Sequence, residues 1–318
     1  MEKILIIQTA FIGDVILATP LIDTLHLQFP NAKIDFLVKK GNENLLINHP
    51  NLNKVLLLNK AKKIRSIFSL IKEIRKEKYD LVINLQRFFS SGLLTAFSAA
   101  KEKRGFKKNP LSFLFTKSFD HQINNGLHEV ERNSAIIEDL CDKLNKKPKL
   151  YPSESDFENI FSFKKEPYYC IAPSSVWFTK QAPKSVWIKT IKSIKDKNAK
   201  IYLIGGYEDF NVCQEICQEI ENKEVQNLAG KLSLMESAAL IKGAKRTFVN
   251  DSGPLHLASS MNAPVTVYFC STSPSFGFGP LSDDSVVIEV ENLSCKPCGL
   301  HGYQSCPKGH FKCGENLL

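Results

Sequence analysis

The sequence predicts an α/β protein made of two doubly wound domains. Short runs rich in Ile, Val and Leu alternate with longer segments of helical spacing, and this alternation occurs separately in each half of the 318-residue chain. A polar stretch with two prolines, 145–157, separates the halves. Because parallel strands with helical crossovers form sheets covered on both faces, we expect domains at 1–150 and 151–318 that face a central cleft.

The individual elements follow from the same pattern. In the first half, strand-length apolar runs stand at 3–8, 33–39, 54–59 and 80–85, and helical spacing is found at 14–29 and 64–77. In the second half, strands are predicted at 168–173, 200–206, 246–251 and 264–270, with helices at 184–195, 208–221, 233–243 and 254–261. Ligands of such folds bind outside the carboxyl ends of the strands, so functional residues are expected in the loops that follow them.

Composition and charge narrow the class of protein. No apolar run approaches the roughly 18 residues of a membrane span. The apolar run at the start is interrupted by Gln8 and Asp14, which argues against a signal peptide, and nine irregularly spaced cysteines are typical of a reduced cytoplasmic protein. Residues 1–150 contain 25 Lys and Arg against 15 Asp and Glu, whereas the remainder contains 17 against 18. A basic first half suits nucleic acid, an anionic membrane surface or an acidic substrate, or is simply a solvated lysine-rich surface.

Neither of the common glycine-rich phosphate loops is present. The turn after the first strand reads TAFIGDV, with one glycine, so the GxGxxG of dinucleotide-binding domains is missing, and so is GxxxxGK[ST]. The best candidate phosphate site is NDSGPLH at 250–256, where a strand ends, a tight turn follows and Pro254 suits the first turn of a helix. Backbone amides near Ser252, Gly253 and Leu255 would then face an anion at the positive end of the helix dipole. The alternative is that Asp251 or Ser252 only caps this helix.

Three segments resemble a known family. NDSGPLHLASS followed by PVTVYFCSTSP, together with IGDVILATPLIDTLHLQFP near the start, is similar to the family 9 glycosyltransferases, the heptosyltransferases of lipopolysaccharide assembly. The resemblance covers nearly the whole chain. It implies the GT-B architecture of two Rossmann-like domains, with the acceptor bound by the first and an ADP-sugar by the second. It also implies inverting transfer of a heptose without a catalytic metal or other cofactor.

The resemblance also implies roles for particular residues. Gly13 and Asp14 match the motif that carries the family's catalytic base, and Lys180 in VWFTKQAP is the best match to a lysine that contacts the donor phosphates. The family often has a tryptophan shortly after that lysine, whereas here Trp187 follows Lys184, so Lys184 remains an alternative. The expected donor-binding set is Gly13, Lys180, Glu208, Asp209, Asn250, Asp251, Ser252, Gly253, Pro254, Leu255 and His256.

Some of these assignments rest on position along the chain. An acidic residue after a glycine-ended strand often holds ribose hydroxyls, and Glu208 and Asp209 after LIGG are equivalent by spacing, although both could simply favour a helix start. For the acceptor, we expect Arg87, His128 and Arg132 of the basic half, because arginine binds carboxylate and phosphate through paired hydrogen bonds. The alternative for His128 and Arg132 is a solvated helix with local ion pairs to neighbouring glutamates.

Four cysteines lie close together near the end of the chain. Cys295, Cys298, Cys306 and Cys313 fall within a glycine-rich, polar tail (295–313), and His301 or His310 could replace one of them. A CxxC followed by two more cysteines has the ligand count of a structural tetrahedral site, for which thiolates favour zinc, with iron as the alternative. Free thiols or disulfides would explain the same residues.

The sequence therefore predicts a cytoplasmic inverting glycosyltransferase, peripheral on the inner face of the membrane, that moves a heptose from an ADP-sugar to a lipid-linked glycan. It predicts no nucleic-acid partner. The alternatives are a transferase for another nucleotide sugar and a non-catalytic module that binds sugar nucleotides or glycans. An NAD-dependent epimerase or reductase is disfavoured, because the chain lacks both GxGxxG and an evident Tyr-x-x-x-Lys pair.

Overall fold

A computed structural model describes residues 1–196 and 198–318. The chain divides into two compact units, Met1–Tyr151 and Pro152–Leu318. Each unit contains one six-stranded sheet in which all neighbouring strands are parallel, and α-helices connect most of the successive strands. The α/β class and the doubly wound topology predicted from the sequence are confirmed.

Unit 1 contains six strands and four α-helices in the described part of the chain. In chain order they are β1 (Lys3–Ile7), α1 (Ile12–Gln28), β2 (Lys33–Lys39), β3 (Lys54–Leu58), α2 (Lys63–Glu77), β4 (Leu81–Asn84), α3 (Phe89–Ala96), β5 (Glu102–Phe106), β6 (Lys117–Phe119) and α4 (Glu129–Ser134). The central strand β1 is almost wholly buried, as its continuous run of Ile and Leu predicts for a strand covered on both faces.

Unit 2 repeats this arrangement within its described residues. Its elements are α5 (Glu154–Asn159), β7 (Tyr168–Ala172), α6 (Lys184–Ser193), β8 (Lys200–Leu203), α7 (Phe210–Ile220), β9 (Val225–Asn227), α8 (Leu234–Gly243), β10 (Thr247–Asn250), α9 (Gly253–Ser260), β11 (Val265–Phe269), β12 (Ser285–Glu289) and α10 (Lys312–Glu315). Its core packs Trp187 edge-on against Tyr268, with ring centroids 5.1 Å apart.

The two sheets have the same strand order. It is β3-β2-β1-β4-β5-β6 in unit 1 and β12-β11-β10-β7-β8-β9 in unit 2, so in each case the first and fourth strands of the unit lie side by side. The order of the strands reverses there, and ligands of open parallel sheets bind outside the carboxyl ends of that strand pair. The loops after β1 and β4, and those after β7 and β10, are therefore the places to look for function.

The apolar pattern predicts four strands in each unit, and it does not predict β5, β6, β9 and β12. Three of these are edge strands, and β6 and β9 have only three residues each. The other, β5, begins with Glu102, Lys103 and Arg104, which read as a polar loop. Arg104 is nevertheless only 3% exposed, because its guanidinium pairs with Glu102 and with both carboxylate oxygens of Asp139. Ion pairing thus lets a charged residue occupy a buried strand position that hydrophobic periodicity cannot detect.

One buried histidine supports the packing of unit 1. His49 is 4% exposed, and its Nε2 lies 3.7 Å from a carboxylate oxygen of Asp23. Burial lowers the pKa of His49 to about 4, outweighing the attraction of Asp23, and the nearby cations Lys149 and His26 act in the same direction as burial. The side chain is therefore neutral in the folded protein near neutral pH.

No helix in the ranges 1–196 and 198–318 is both long enough and apolar enough to cross a lipid bilayer.

Candidate active site

Four of the residues singled out in the sequence lie at the points where strand order reverses. In unit 1, Asp14 follows β1 and Arg87 follows the neighbouring strand β4. In unit 2, Lys180 follows β7 and Asp251 follows the neighbouring strand β10. Sheet topology thus brings together loops that are far apart along the chain, at the usual ligand-binding edge of such sheets.

An ion pair joins the two loops of unit 2. The Lys180 Nζ lies 2.7 Å from the Asp251 Oδ2, and only 16% and 8% of these side chains are exposed. The Thr272 hydroxyl donates to the same Asp251 oxygen at 2.7 Å. Asp251 directly precedes the residue that caps α9, so the ammonium group of Lys180 is held beside the start of that helix. The ammonium group and the start of the helix are both positive, but the Asp251 carboxylate partly neutralises them, so a bound anion would have to compete with Asp251 for Lys180.

Asn250 holds the loop that carries Lys180 against β10. Its side chain is completely buried, donates to the Pro173 carbonyl at 2.8 Å and accepts the Ala182 N–H at 2.9 Å. These contacts connect the end of β10 to both ends of the loop that follows β7. Asn250 therefore positions the loop, and its burial leaves no surface for a ligand.

The start of α9 divides the NDSGPLH segment into an accessible and a buried part. Ser252, Gly253 and Pro254 are partly exposed, whereas Leu255 and His256 are buried, with 0% and 6% of their surface exposed. The Leu255 N–H already donates to the Ser252 carbonyl at 3.1 Å. The Leu255 donor is thus engaged within the first turn of α9, and the expected role of the amides near Ser252, Gly253 and Leu255 in anion binding stays a prediction.

The tail of the chain holds the Lys180 loop from its other side. The Thr179 N–H donates to the Tyr303 carbonyl at 3.0 Å, and the Tyr303 N–H donates to the Thr179 hydroxyl oxygen at 2.8 Å. A Cβ on Gly302 would lie 2.4 Å from the Trp177 Cβ and 2.8 Å from the Lys180 Cγ. Only glycine allows so close an approach. No local sequence pattern predicts this contact, because it joins segments that are distant along the chain.

The structure distinguishes Lys180 from the alternative, Lys184. Lys184 is the first residue of α6, its side chain is 43% exposed, and its Nζ lies 3.4 Å from Glu215 and 3.2 Å from Glu219 on α7. Lys180 contacts the Asp251 loop, and Lys184 pairs instead with the surface of the neighbouring helix.

The two acidic residues after β8 also differ in their contacts. Asp209 accepts the Gly206 N–H at 2.8 Å, so its carboxylate is used within the turn. Glu208 is exposed at the same strand end. Of the two, Glu208 is the carboxylate that presents itself to solvent.

In unit 1, Asp14 lies in the first turn of α1 next to Gly13. Its carboxylate accepts the Phe11 N–H at 3.1 Å, the contact of a helix-capping residue, and both Gly13 and Asp14 are partly exposed. The loops after β1 and β4 are joined by a hydrogen bond from the Gln86 side-chain amide to the Gln8 side-chain oxygen. Asp14 therefore caps α1 at the edge of the sheet where strand order reverses, and its role as the base stays a prediction.

The three predicted acceptor residues differ in accessibility. Arg87 is exposed, with its guanidinium carbon 5.5 Å from the centre of the Phe88 ring. Arg132 is only 2% exposed and donates to the Glu129 carboxylate at 2.8 Å and to the Leu127 carbonyl at 2.6 Å. His128 caps α4 by accepting the Val130 N–H at 3.2 Å. The local ion pair between Arg132 and a neighbouring glutamate is therefore present, but it is buried and not on a solvated helix surface.

A basic group that the sequence analysis missed lies beside Arg87. The Lys108 Nζ is 3.2 Å from the His121 Nδ1, and the His121 Nε2 is 3.1 Å from both carboxylate oxygens of Glu129. Burial, together with the nearby Arg87 and Arg132, lowers the pKa of Lys108. Burial opposes ionisation of Glu129, but His121 and Arg132 still hold its pKa below the ordinary value. No local sequence pattern predicts this cluster, because its members come from three separate segments of the chain.

The tail cysteines lie close together as free thiols. The Cys295 Sγ is 3.8 Å from the His310 Nε2, and the Cys298 thiol donates to the Cys295 carbonyl at 3.0 Å. Burial, reinforced by neighbouring cysteines, raises the pKa of Cys313 to about 11. Among residues 1–196 and 198–318, no group of three or more His, Cys, Asp or Glu side chains is arranged to hold a metal ion. The expected structural metal therefore gains no support from the arrangement of these side chains.

Two doubly wound, Rossmann-like units of this topology match the GT-B architecture of the solved heptosyltransferase structures. The chain resembles the structure of Escherichia coli ADP-heptose lipopolysaccharide heptosyltransferase II, with a TM-score of 0.79, 24% identity and coverage of 99% of this chain and 98% of that one. A family 9 glycosyltransferase from Veillonella parvula gives a TM-score of 0.82 at 20% identity, covering 99% of this chain and 97% of that one.

Sequence comparison identifies the family. The model for glycosyltransferase family 9 (heptosyltransferase) matches residues 67–305. Lipopolysaccharide heptosyltransferase 3 of Escherichia coli K12 is 30% identical over 307 residues, covering 90% of this chain and 87% of that protein. The chain therefore belongs to glycosyltransferase family 9, as the sequence motifs indicated, and it is an enzyme of the glycosyltransferase class.

Proposed function

We propose that this enzyme transfers a heptose, with inversion, from an ADP-heptose donor to a sugar of a lipopolysaccharide core. The relatives that it resembles are lipopolysaccharide and lipooligosaccharide heptosyltransferases. The observation that carries the proposal is the Lys180–Asp251 ion pair, because it holds a cation beside the start of α9, where a diphosphate would be attracted.

Unit 2 is proposed to bind the donor. Lys180 and the backbone amides of Ser252 and Gly253 would meet the two phosphates, and exposed Glu208 would accept hydrogen bonds from the ribose hydroxyls. Lys180 is partly neutralised by Asp251, and a diphosphate would compete for the same ammonium group. Asn250 and the tail act by holding the lysine loop in place.

Unit 1 is proposed to bind the acceptor and to supply the base. Asp14 takes the proton from an acceptor hydroxyl while that oxygen bonds to the anomeric carbon of the donor. The bond between the anomeric carbon and the diphosphate breaks, and its electron pair leaves with ADP. The negative charge that grows on the leaving phosphate is stabilised by Lys180 and the start of α9, so this step needs no metal.

Arg87 and Lys108 are the cations proposed to contact acidic groups of the acceptor. Arg87 is exposed, and Lys108 is oriented by His121, which in turn rests on buried Glu129. Arg132 holds Glu129 from the other side, so it would influence the acceptor through that carboxylate. A carboxylate or phosphate on a core sugar is the chemistry that such a pair recognises.

Donor identity is tested most directly by thermal stability. A ligand at about 100 times its dissociation constant stabilises the folded protein by about 2.7 kcal/mol. Melting curves with ADP, UDP and GDP, and with ADP-heptose, should show a clear increase only for the adenine nucleotides. An increase in melting temperature with UDP or GDP alone would favour the alternative, a transferase for another nucleotide sugar. Binding of ADP-heptose without transfer to any core acceptor would favour a non-catalytic binding module.

The tail and the cellular location complete the proposal. A structural zinc or iron ion on the tail cysteines is suggested by their number and spacing along the chain. Elemental analysis of protein purified without chelators should find about one ion per chain, lost when two of the four cysteines become serine. Metal-free protein with four reactive tail thiols would refute this part of the proposal.

A lipid-linked acceptor would place the enzyme at the cytoplasmic face of the membrane, as a peripheral protein.

A further inference from the structure

Unit 1 carries an apolar surface that its own fold leaves uncovered. Three large side chains project there, namely Ile64 and Phe68 on α2 and Phe97 just after α3, with 73%, 69% and 47% of their surface exposed. Together with Ile67, Ile71 and Leu93 they line an apolar groove of about 300 Å³. We refer to these six residues as the α2–α3 surface.

The α2–α3 surface is surrounded by positive charge. Residues 60–78 contain eight Lys and Arg and two Glu. Both glutamates are occupied elsewhere, because Glu73 pairs with Lys54 and Glu77 lies 2.9 Å from the Lys3 Nζ. The segment 60–78 therefore has a large excess of positive charge.

The cations lie directly beside the apolar side chains. Arg65 precedes Phe68 by three residues and Lys72 follows it by four, so both are its neighbours on the helix surface, and Lys76 continues this row. All three cations are exposed. An apolar strip with a Lys- and Arg-rich border is the composition of helices that lie in the interface of a membrane.

We propose that the α2–α3 surface docks this enzyme on an anionic lipid bilayer. Ile64 and Phe68 would enter the boundary between headgroups and acyl chains, and Arg65, Lys72 and Lys76 would contact lipid phosphates. This proposal rests on the proposed function in one respect, which is that the enzyme must reach a lipid-linked acceptor at a membrane. Bilayer binding itself requires neither donor nor acceptor.

A second copy of the chain fits this surface less well than a bilayer does. A stable protein interface needs about 20–30 residues from each partner, and the groove is lined by six. Two such surfaces would also bring the positive charges of residues 60–78 against one another. An anionic bilayer satisfies both the apolar and the cationic part at once.

The test measures binding of the full-length protein to vesicles by co-sedimentation. Wild type should bind mixed phosphatidylcholine and phosphatidylglycerol vesicles and bind pure phosphatidylcholine vesicles much less. The Arg65→Gln, Lys72→Gln, Lys76→Gln triple variant should lose roughly fivefold per cation, about 100-fold in all. The Ile64→Ser, Phe68→Ser variant should lose binding at every salt concentration, whereas the loss of charge should matter less as salt rises.

Matched controls come from unit 2. Phe161→Ser removes an equally exposed aromatic side chain, 68% accessible, and a Lys192→Gln, Lys195→Gln, Lys223→Gln variant removes three exposed cations. Both controls should bind vesicles like wild type. Unchanged melting temperatures would show that all variants are folded, as the exposure of the substituted residues predicts.

Three outcomes would overturn the assignment. The first is vesicle binding by the Ile64→Ser, Phe68→Ser variant within about twofold of wild type, because insertion of these two side chains into the bilayer predicts a much larger loss of binding. The second is equal loss in the unit 2 controls. The third is that the variants of the α2–α3 surface lose self-association, measured by analytical ultracentrifugation, while their vesicle binding is unchanged. Because the assay contains no sugar nucleotide, absence of heptose transfer would refute the proposed function and leave this result standing.

Discussion

Removing the ammonium group of Lys180 is expected to slow turnover by about 10²-fold or more. Lys180 lies 2.7 Å from Asp251 beside the start of α9, where the leaving diphosphate of the proposed donor would gather charge. The charge of that phosphate is greater in the transition state than in the bound donor. Lys180→Ala should therefore lower kcat as well as donor affinity.

The magnitude follows from the contacts of the two side chains. Loss of one charge-stabilising donor in an active site costs about 2.7–4 kcal/mol in the activation free energy. Stability should fall by less, about 1–3 kcal/mol, because Asp251 would keep its hydrogen bond from Thr272. A domain of ordinary stability, about 5–15 kcal/mol, remains folded after such a loss.

Lys184 provides the matched control. Its side chain is 43% exposed, and its ion pairs with Glu215 and Glu219 lie on the surface, where such pairs contribute about 0–1 kcal/mol. The assay measures kcat and KM for donor and acceptor in wild type, Lys180→Ala, Lys180→Arg and Lys184→Ala. Lys184→Ala should resemble wild type, and Lys180→Arg should recover part of the rate because it restores the positive charge.

Two results would refute this reasoning. Near-normal kcat in folded Lys180→Ala would show that the lysine only pairs with Asp251 in the resting protein. A large loss in Lys184→Ala with little change in Lys180→Ala would assign the phosphate contact to α6 instead.

Four further predictions address other parts of the molecule. Asp14→Asn keeps an oxygen that can cap α1, so the variant should fold and bind donor normally yet lose roughly 10²- to 10⁴-fold in kcat, and a near-normal rate would show that the residue is structural. Arg87→Ala should raise the acceptor KM with little change in donor affinity measured by calorimetry, and equal loss of both would contradict separate sites in the two units. Gly302→Ala should lower kcat in a variant that still folds, because its Cβ would lie 2.4 Å from the Trp177 Cβ and 2.8 Å from the Lys180 Cγ and would displace the lysine loop, and wild-type kinetics would show that the loop yields without cost. Burial holds the pKa of His49 near 4, below its unfolded value, so this residue's contribution to stability is complete above about pH 6.5 and is lost as the pH falls toward about 4. Urea unfolding at about pH 7.5 and about pH 5 measures the free energy of unfolding at each pH. Between these two pH values, that free energy should fall by about 2 kcal/mol more in wild type than in His49→Gln, and an equal fall in both proteins would contradict this prediction.

The sequence by itself determined the fold class and the family. Buried parallel strands such as β1 are continuous runs of Ile, Val and Leu, a local pattern that needs no knowledge of the partner strands. The NDSGPLH segment was recognisable for the same reason, since a strand end, a turn and a proline-initiated helix follow one another along the chain. Where a strand owes its burial to ion pairs, as β5 does through Arg104, the local pattern fails.

Only the tertiary structure decided which residues meet. Strand order places the loop after β7 beside the loop after β10, and this selects Lys180 over Lys184 as the partner of Asp251. The tertiary structure also buries Arg132 against Glu129 and brings together a cluster around Lys108 that residue spacing did not predict. Periodicity along a chain reports which face of an element is buried, but not which element covers it. The pairing of distant loops depends on the whole sheet, so the contacts of these charged residues became visible only in the folded chain.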